Sequence, residues 1–385
     1  MLRSCVLSLL AASVLAGCSS SGQLHKPADL PLLSANELTI ERVWKRAESD
    51  DELNKVFTGL QAVVVGDMIY NINSEGELSA LVLRSGRTKW THQLSQPVSA
   101  GLSYNGENLF VATPEGVVMA LSPEGGQAVW QAQLSTEIVV PPVATSDYVV
   151  ARCVDGVVAV LNAQSGVELW RIDLSVPPLT LRGHSSPVIL DDKVLIGGAD
   201  GKLLALSLNS GETLWESVVA SPKGRTDLER LVDVDSSPIA KNGVIYSTAY
   251  QGRIVALSAV DGRLLWSRDI GSSSTMTLDN DNLYVVDDSS HVWAIDRRTG
   301  ATLWKQDSLA YRQLSGLTII DSMLLLGDFE GVMHWLSVDD GRLLAYRQID
   351  DRSVIATPSV ENGIAYVRSR SGKLYALRAV LGSSL

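Results

Sequence analysis

The sequence predicts an all-β fold: an eight-bladed β-propeller of four-stranded antiparallel blades, closed by its own N-terminal strand. Three observations carry this. Tryptophan recurs at positions 90, 130, 170, 215, 266 and 304, each four residues after a glycine (Gly86, Gly126, Gly166, Gly211, Gly262, Gly300), at spacings of 40, 40, 45, 51 and 38 residues. A tight turn opening a short apolar run recurs eight times, with its turn position at 76, 116, 156, 201, 252, 290, 331 and 372. The last unit stops after Tyr375-Ala376-Leu377 without a Gly-x-x-x-Trp segment, and the missing strand stands at the other terminus, in residues 38–44, which end in Trp44. A period near 40 means similar units that cannot bury their apolar faces alone and must stack. Closing the last unit with the first segment keeps both terminal edges paired.

The first 17 residues read as a secretory signal. One positive charge at Arg3 precedes an apolar run, residues 5–16, too short to span a bilayer as a mature helix. The run ends in Leu15-Ala16-Gly17-Cys18, which resembles the lipobox of bacterial lipoproteins. The resemblance implies cleavage before Cys18, lipidation of its sulfur with palmitate-type chains and, with Ser19 rather than Asp following, sorting to the outer membrane. A plain secretory signal with an incidental cysteine is the alternative. Residues 18–37 then form a tether, small at 19–22 and stiffened by Pro27 and Pro31, able to reach some tens of ångströms.

Residues 38–381 form the propeller. In the fourth unit, Ser186-Pro187-Val188-Ile189-Leu190, then 193–197, 202–206 and 212–215 read as four strands separated by Asp191-Asp192, a glycine turn and Ser210-Gly211. These runs are rich in Val, Leu and Ile and bounded by turn residues, with no room for long helices. Glycine supplies the positive φ such turns need, and Ser290 stands in for it in the sixth unit. The seventh unit has Ala345-Tyr346 where Trp is expected, an aromatic displaced by one. The tryptophans read as packing between blades, with a ligand-stacking site as the alternative.

Composition excludes several functions. Formal charge is −11 with no basic cluster, which argues against nucleic-acid binding. With Cys5 in the signal and Cys18 acylated, only Cys153 remains, so no intrachain disulfide forms; Cys153 reads as a core residue of a second strand. His25, His92, His184, His291 and His334 show no metal spacing, and no phosphate-cradling loop or G-x-S-x-G occurs. Asp279-Asn280-Asp281-Asn282 lacks the Gly and closing Glu of a calcium loop and reads, like Asp287-Asp288, as a turn.

The repeat resembles that of quinoprotein alcohol dehydrogenases, eight-bladed propellers that hold pyrroloquinoline quinone. The vicinal cysteine pair, long insertions, calcium site and catalytic Asp expected of those enzymes have no counterpart here, so the expectation is a non-enzyme with no cofactor. A lipobox, a tether, eight minimal blades and N-terminal closure together resemble the BamB lipoprotein family of the outer-membrane β-barrel assembly machinery. Pro178-Leu179-Thr180-Leu181-Arg182-Gly183 and the 227–235 segment, Asp-Leu-Glu-Arg-Leu-Val-Asp-Val-Asp, are similar to that family's L-x-L-R-G and D-x-x-R-L-x-D-V-D segments. The resemblance implies a non-catalytic scaffold on the periplasmic face of the outer membrane, binding the POTRA domains of the barrel subunit BamA, with unfolded outer-membrane protein clients as further partners. It makes Leu179, Leu181, Arg182, Asp233 and Asp235 the candidate partner-binding residues. The long 45- and 51-residue spacings bracket these segments, and long loops on a rigid ring are where recognition resides. Arg182 suits a bidentate contact, and the two aspartates either answer basic groups on the partner or orient Arg182. The alternative reading is that the leucines tuck inward and the charges merely cap turns. A second function class is a propeller holding peptidoglycan or polypeptide in a channel mouth lined by Ser185, Ser186, Ser236 and Ser237.

Overall fold

The protein is seen in a computed structural model that describes residues 25–33, 38–47, 59–177, 179–180, 185–223, 225–226 and 228–381. The lipidation candidate Cys18, and Leu181 and Arg182, lie outside the described residues.

Eight sheets succeed one another along the chain. From the inner edge outward, the first blade is Val63–Val65, Met68–Ile72, Glu77–Val82 and Thr88–Gln93. The fourth is Val188–Leu190, Lys193–Gly197, Lys202–Ser207 and Thr213–Val218, the runs expected from sequence within a few residues. The middle strands are continuous apolar runs because neighbouring blades cover both their faces; all five residues of Met68–Ile72 are buried. Outer strands face water on one side and alternate, as in Thr88–Gln93. The inner strand of the eighth blade, Ser359–Glu361, touches that of the first, so the ring closes.

Closure follows the sequence expectation. Leu38–Arg46 pairs antiparallel with Leu374–Leu381, from Leu38 opposite Leu381 to Arg46 opposite Leu374. That third strand runs four residues past the expected Leu377. No turn has to end it, because its outer partner comes from the other terminus.

The glycine and tryptophan periods have one physical cause, and it lies between blades. Trp44 of blade 8 lies on Gly86 of blade 1: a Cβ there would stand 2.6 Å from Trp44 Cδ2. The same contact repeats around the ring, ending with Trp304 on Gly341. Each glycine is therefore required twice, for its left-handed turn and for the indole pressed on it. The indole N–H bonds to the next blade as well: Trp44 to Leu83 O at 2.9 Å, Trp130 to Ala163 O at 2.8 Å, Trp170 to Leu208 O at 2.8 Å, Trp266 to Arg297 O and Trp304 to Val338 O at 3.0 Å. A β-bulge precedes each of these tryptophans; it turns the Trp inward and the preceding residue outward, which exposes Val129, Leu169, Leu214, Leu265 and Leu303.

The seventh blade shows what its displaced aromatic means. Elsewhere an alanine of the third strand faces the Trp, as Ala80 faces Trp90 and Ala294 faces Trp304, except in blade 3, where Val160 faces Trp170. In blade 7 the pair is transposed: Trp335 of the third strand faces Ala345 of the fourth, and Trp335 is fully buried. A fourth-strand Trp in that blade would need the turn glycine of blade 8, and blade 8 has no such turn. Tyr346 instead lies opposite His334.

Two details differ from the simple repeat, and two more concern residues singled out in the sequence. In blade 5 the left-handed turn residue is Gln251 (φ 47°), one before the expected Gly252; Ser290 (φ 64°) does take the glycine's place in blade 6. Blade 2 carries a fifth, parallel strand at its inner edge, Gly59–Leu60 on Ala100–Tyr104, whose residues narrow the central channel. Cys153 falls just after Tyr148–Arg152 and is fully buried in the core between blades 2 and 3. At 279–282, Asp279 Oδ1 accepts from the backbone N–H of Asp281 (2.8 Å) and Asn282 (2.7 Å), which makes the segment a side-chain-capped turn.

Candidate partner interface

Two connectors, 174–187 between blades 3 and 4 and 219–238 between blades 4 and 5, meet beside the Gly198–Gly201 turn of blade 4. The second is built locally. Thr226 and Glu229 form a capping box on the 3-10 turn Leu228–Arg230: Thr226 Oγ1 accepts the Glu229 N–H (3.2 Å), and the Glu229 carboxylate accepts those of Arg225 (2.7 Å) and Thr226 (3.2 Å). Those backbone donors hold the Glu229 carboxyl below its ordinary range. Val232 and Val234 then bury into the core between blades 4 and 5, while Leu231 is buried at the cleft. Val234 N–H bonds to Gly198 O (3.1 Å), and Asp233 O accepts Tyr250 N–H (3.0 Å), which fixes the connector to blades 4 and 5.

The connectors enclose a cleft of about 370 Å³ lined by Pro177, Leu179, Pro222, Arg230, Leu231 and Asp233 with Ala199 and Asp200. Leu179 is 46% exposed, an apolar side chain offered to solvent rather than tucked inward. Asp233 is only 2% exposed and forms a wall of the cleft rather than a projecting charge. Thus Leu179 and Asp233 come together, while Asp235 faces elsewhere. It lines a central cleft of about 260 Å³ with Ser186, Ser237, Ser273, Thr275 and Thr357. Of the four serines expected at the channel mouth, Ser186 and Ser237 line this cleft, and Ser185 and Ser236 are buried.

A buried residue that the sequence does not single out acts on both aspartates. Arg152 ends the second strand of blade 3 and is 4% exposed. Its Nη1 donates to Gly197 O at 2.7 Å. Burial presses its pKa down, and the charges of Asp235 and Asp233 oppose that. The Asp235 carboxyl is pushed up to about 8 by burial and by Asp233, against the pull of Arg152, with Asp288 adding to the rise. The signal was present: an arginine closing an otherwise apolar strand, Tyr-Val-Val-Ala-Arg, has to be satisfied inside the fold. Arg230, the exposed cation of the cleft, stood in the quoted segment but was not singled out.

A sequence profile described as "Outer membrane protein assembly factor BamB" matches residues 24–100 and 74–306. The chain belongs to the BamB family. A BamB of Pseudomonas aeruginosa is 45% identical over 368 residues, covering 96% of this chain and 97% of its own. A BamB of Escherichia coli K12 is 30% identical over 382 residues, with the same coverage. The crystal structure of BamB from Moraxella catarrhalis superposes with a TM-score of 0.80 at 24% identity, over 88% of this chain and 100% of that one. A quinohemoprotein alcohol dehydrogenase from Comamonas testosteroni reaches 0.68 at 13% identity, over 90% and 77%. At these identities the structural likenesses show the fold alone, the BamB match included; the family rests on the profile and the full-length relatives.

Proposed function

We propose that this chain is a non-catalytic scaffold lipoprotein of the Bam complex. In this reading it is anchored through Cys18 to the periplasmic face of the outer membrane, and it grips the POTRA domains of BamA to aid insertion of outer-membrane β-barrel proteins. Its relatives are named assembly factors, a role without chemistry of its own. The observation that carries the partner surface is the Leu179 cleft: a half-exposed leucine beside the exposed Arg230, on connectors stitched to a rigid ring. Such a site pairs one apolar anchor with a directional cation, the usual composition of an interface centre. Leu181 and Arg182 extend the same connector. Asp233 acts as the wall that orients cations rather than as a free charge, and Asp235 supports it from the channel side.

Leu179→Ala with Arg182→Ala is expected to abolish co-purification of BamA while the thermal transition stays within a degree or two of the parent. Retained co-purification removes the connector surface from the argument. A second reading, a channel holding peptidoglycan or client polypeptide, is favoured by the polar lining of the central cleft. Photoreactive residues at Ser237 that capture muropeptide or polypeptide in intact cells decide for it.

A further inference from the structure

In an up-and-down blade, the second-to-third turns and the connectors to the next blade share one face of the ring. The first-to-second and third-to-fourth turns share the other. Strand Leu38–Arg46 starts opposite Leu381, where a third-to-fourth turn would stand, so residues before 38 are delivered to the turn face. Residues 25–33 nevertheless lie against blades 6 and 7. Leu33 packs against the core between blades 6 and 7 with Trp304 and Tyr346. Ala28 N–H donates to Ala310 O at 2.9 Å, and the His25 ring stacks on Tyr311 at 4.4 Å with 5° between planes. Residues 310 and 311 lie in the connector between blades 6 and 7, so the segment finishes on the connector face.

A built clamp holds it there. Arg312 is 3% exposed. Its Nε donates to Asp328 Oδ2 at 2.8 Å, its Nη2 bonds Glu330, and its guanidinium lies 5.3 Å from the Phe329 ring centre. Asp328 is fully buried and bonds His334 Nε2 at 2.9 Å. The remaining direction is filled by the tether: Arg312 Nη1 donates to Ala28 O at 2.9 Å. A buried guanidinium needs acceptors for its fixed fork of donors, and here the main chain of the N-terminal segment supplies one.

We propose that docking of residues 25–33 on the Arg312 clamp orients the ring at the membrane, so that the anchor departs from the connector face. That face also carries the Leu179 cleft. The proposal rests on the reading of Cys18 as the lipid attachment point. Seven chain steps lead from Cys18 to His25, an extended reach of at most about 25 Å. Without the dock, the leash is the twenty residues to Leu38, about 70 Å, leaving from the opposite face. The dock therefore shortens the leash nearly threefold and reverses the face turned to the bilayer.

The test uses the full-length lipoprotein in phosphatidylethanolamine–phosphatidylglycerol vesicles carrying a headgroup quencher. A fluorophore goes on D200C (connector face) or D192C (turn face), in a Cys153→Ser background. Quenching at 200 is expected to exceed that at 192 at least twofold. Ala28→Pro with Leu33→Asp, which alters the tether and leaves the ring intact, is expected to erase or reverse the difference. Equal quenching at the two positions, or no response to the tether variant, overturns the proposal. Two controls separate the causes. A spin label on D29C in detergent is expected to be immobile in the parent and released by Arg312→Ala as well as by the tether variant; a label mobile in the parent overturns the dock itself. Failure of the protein to float with vesicles while that label stays immobile overturns the lipid-anchor reading instead.

Discussion

At the residue scale, the arrangement around Asp235 sets a pH dependence whose sign can be worked out. Its carboxyl is pushed up to about 8 by burial and by Asp233, with Arg152 opposing and Asp288 adding. The unfolded value is about 3.9. The folded state therefore binds the proton more tightly, and the stability tied to protonated Asp235 is fully present below about pH 4 and is lost as pH rises towards 8. Asp235→Asn keeps the shape without the titration. It is expected to unfold at nearly the same urea concentration as the parent at pH 4 and to be the more stable form at pH 9, by on the order of 1–3 kcal/mol. Parallel midpoint-against-pH curves for the two proteins would rule out a strained carboxylate. The same cluster shows where residue-level reading of the sequence ends. Asp233 and Asp235, two apart, look alike in the chain, and regular strand alternation would put both on one side; the irregular connector instead sends one to the Leu179 cleft and the other to the central cleft, with the charge of Arg152 from blade 3 acting on both. That arrangement depends on contacts across some eighty residues, and no local spacing encodes it.

At the scale of the element, the recurring unit is a contact between blades rather than a blade alone. Gly86 and Gly66 separate the two demands on a turn glycine. Both have positive φ, 64° and 59°, but a Cβ on Gly86 meets Trp44 at 2.6 Å, whereas nothing lies within 4 Å at Gly66. Gly66→Ala is expected to cost about 1 kcal/mol, the backbone share alone. Gly86→Ala is expected to cost a further 1–3 kcal/mol, because the indole must move. Chemical denaturation of both variants measures the difference, and equal losses would mean that the Trp–Gly contact contributes nothing. The eight units and their strands were legible in the sequence because turn residues and apolar runs are local signals. The transposition in blade 7 was legible only as an anomaly at Ala345-Tyr346. Its resolution, Trp335 filling the space from the facing strand, depends on the absent turn of blade 8, which becomes evident only when both ends of the chain are placed in one sheet. Likewise Gln251 takes the left-handed position in blade 5, one before Gly252, a shift that no local signal in the sequence announces.

At the scale of the whole molecule, every blade but the seventh presses its fourth-strand tryptophan on the next, and the ring has one seam that the covalent chain does not cross: Leu38–Arg46 against Leu374–Leu381. An open stack of repeats frays from its ends. A closed one cannot begin to fray until this seam opens, so the seam governs how the ring comes apart. Thr39 and Val380 stand directly opposite one another in it, and Val380 is 38% exposed. A disulfide from Thr39→Cys with Val380→Cys, in a Cys153→Ser background, would close a loop of roughly 340 residues. Chain entropy alone then lowers the unfolded state's freedom by an amount worth on the order of 5 kcal/mol, less whatever strain the bridge introduces. The oxidised form is expected to unfold at a clearly higher denaturant concentration than its reduced form, and hydrogen exchange is expected to slow most in the blades flanking the seam, where local opening would otherwise begin. If oxidation slows exchange evenly around the ring, the seam is no weaker than any other blade junction, and the tether dock on blades 6 and 7 takes its place as the feature that decides how the N-terminal segment is held.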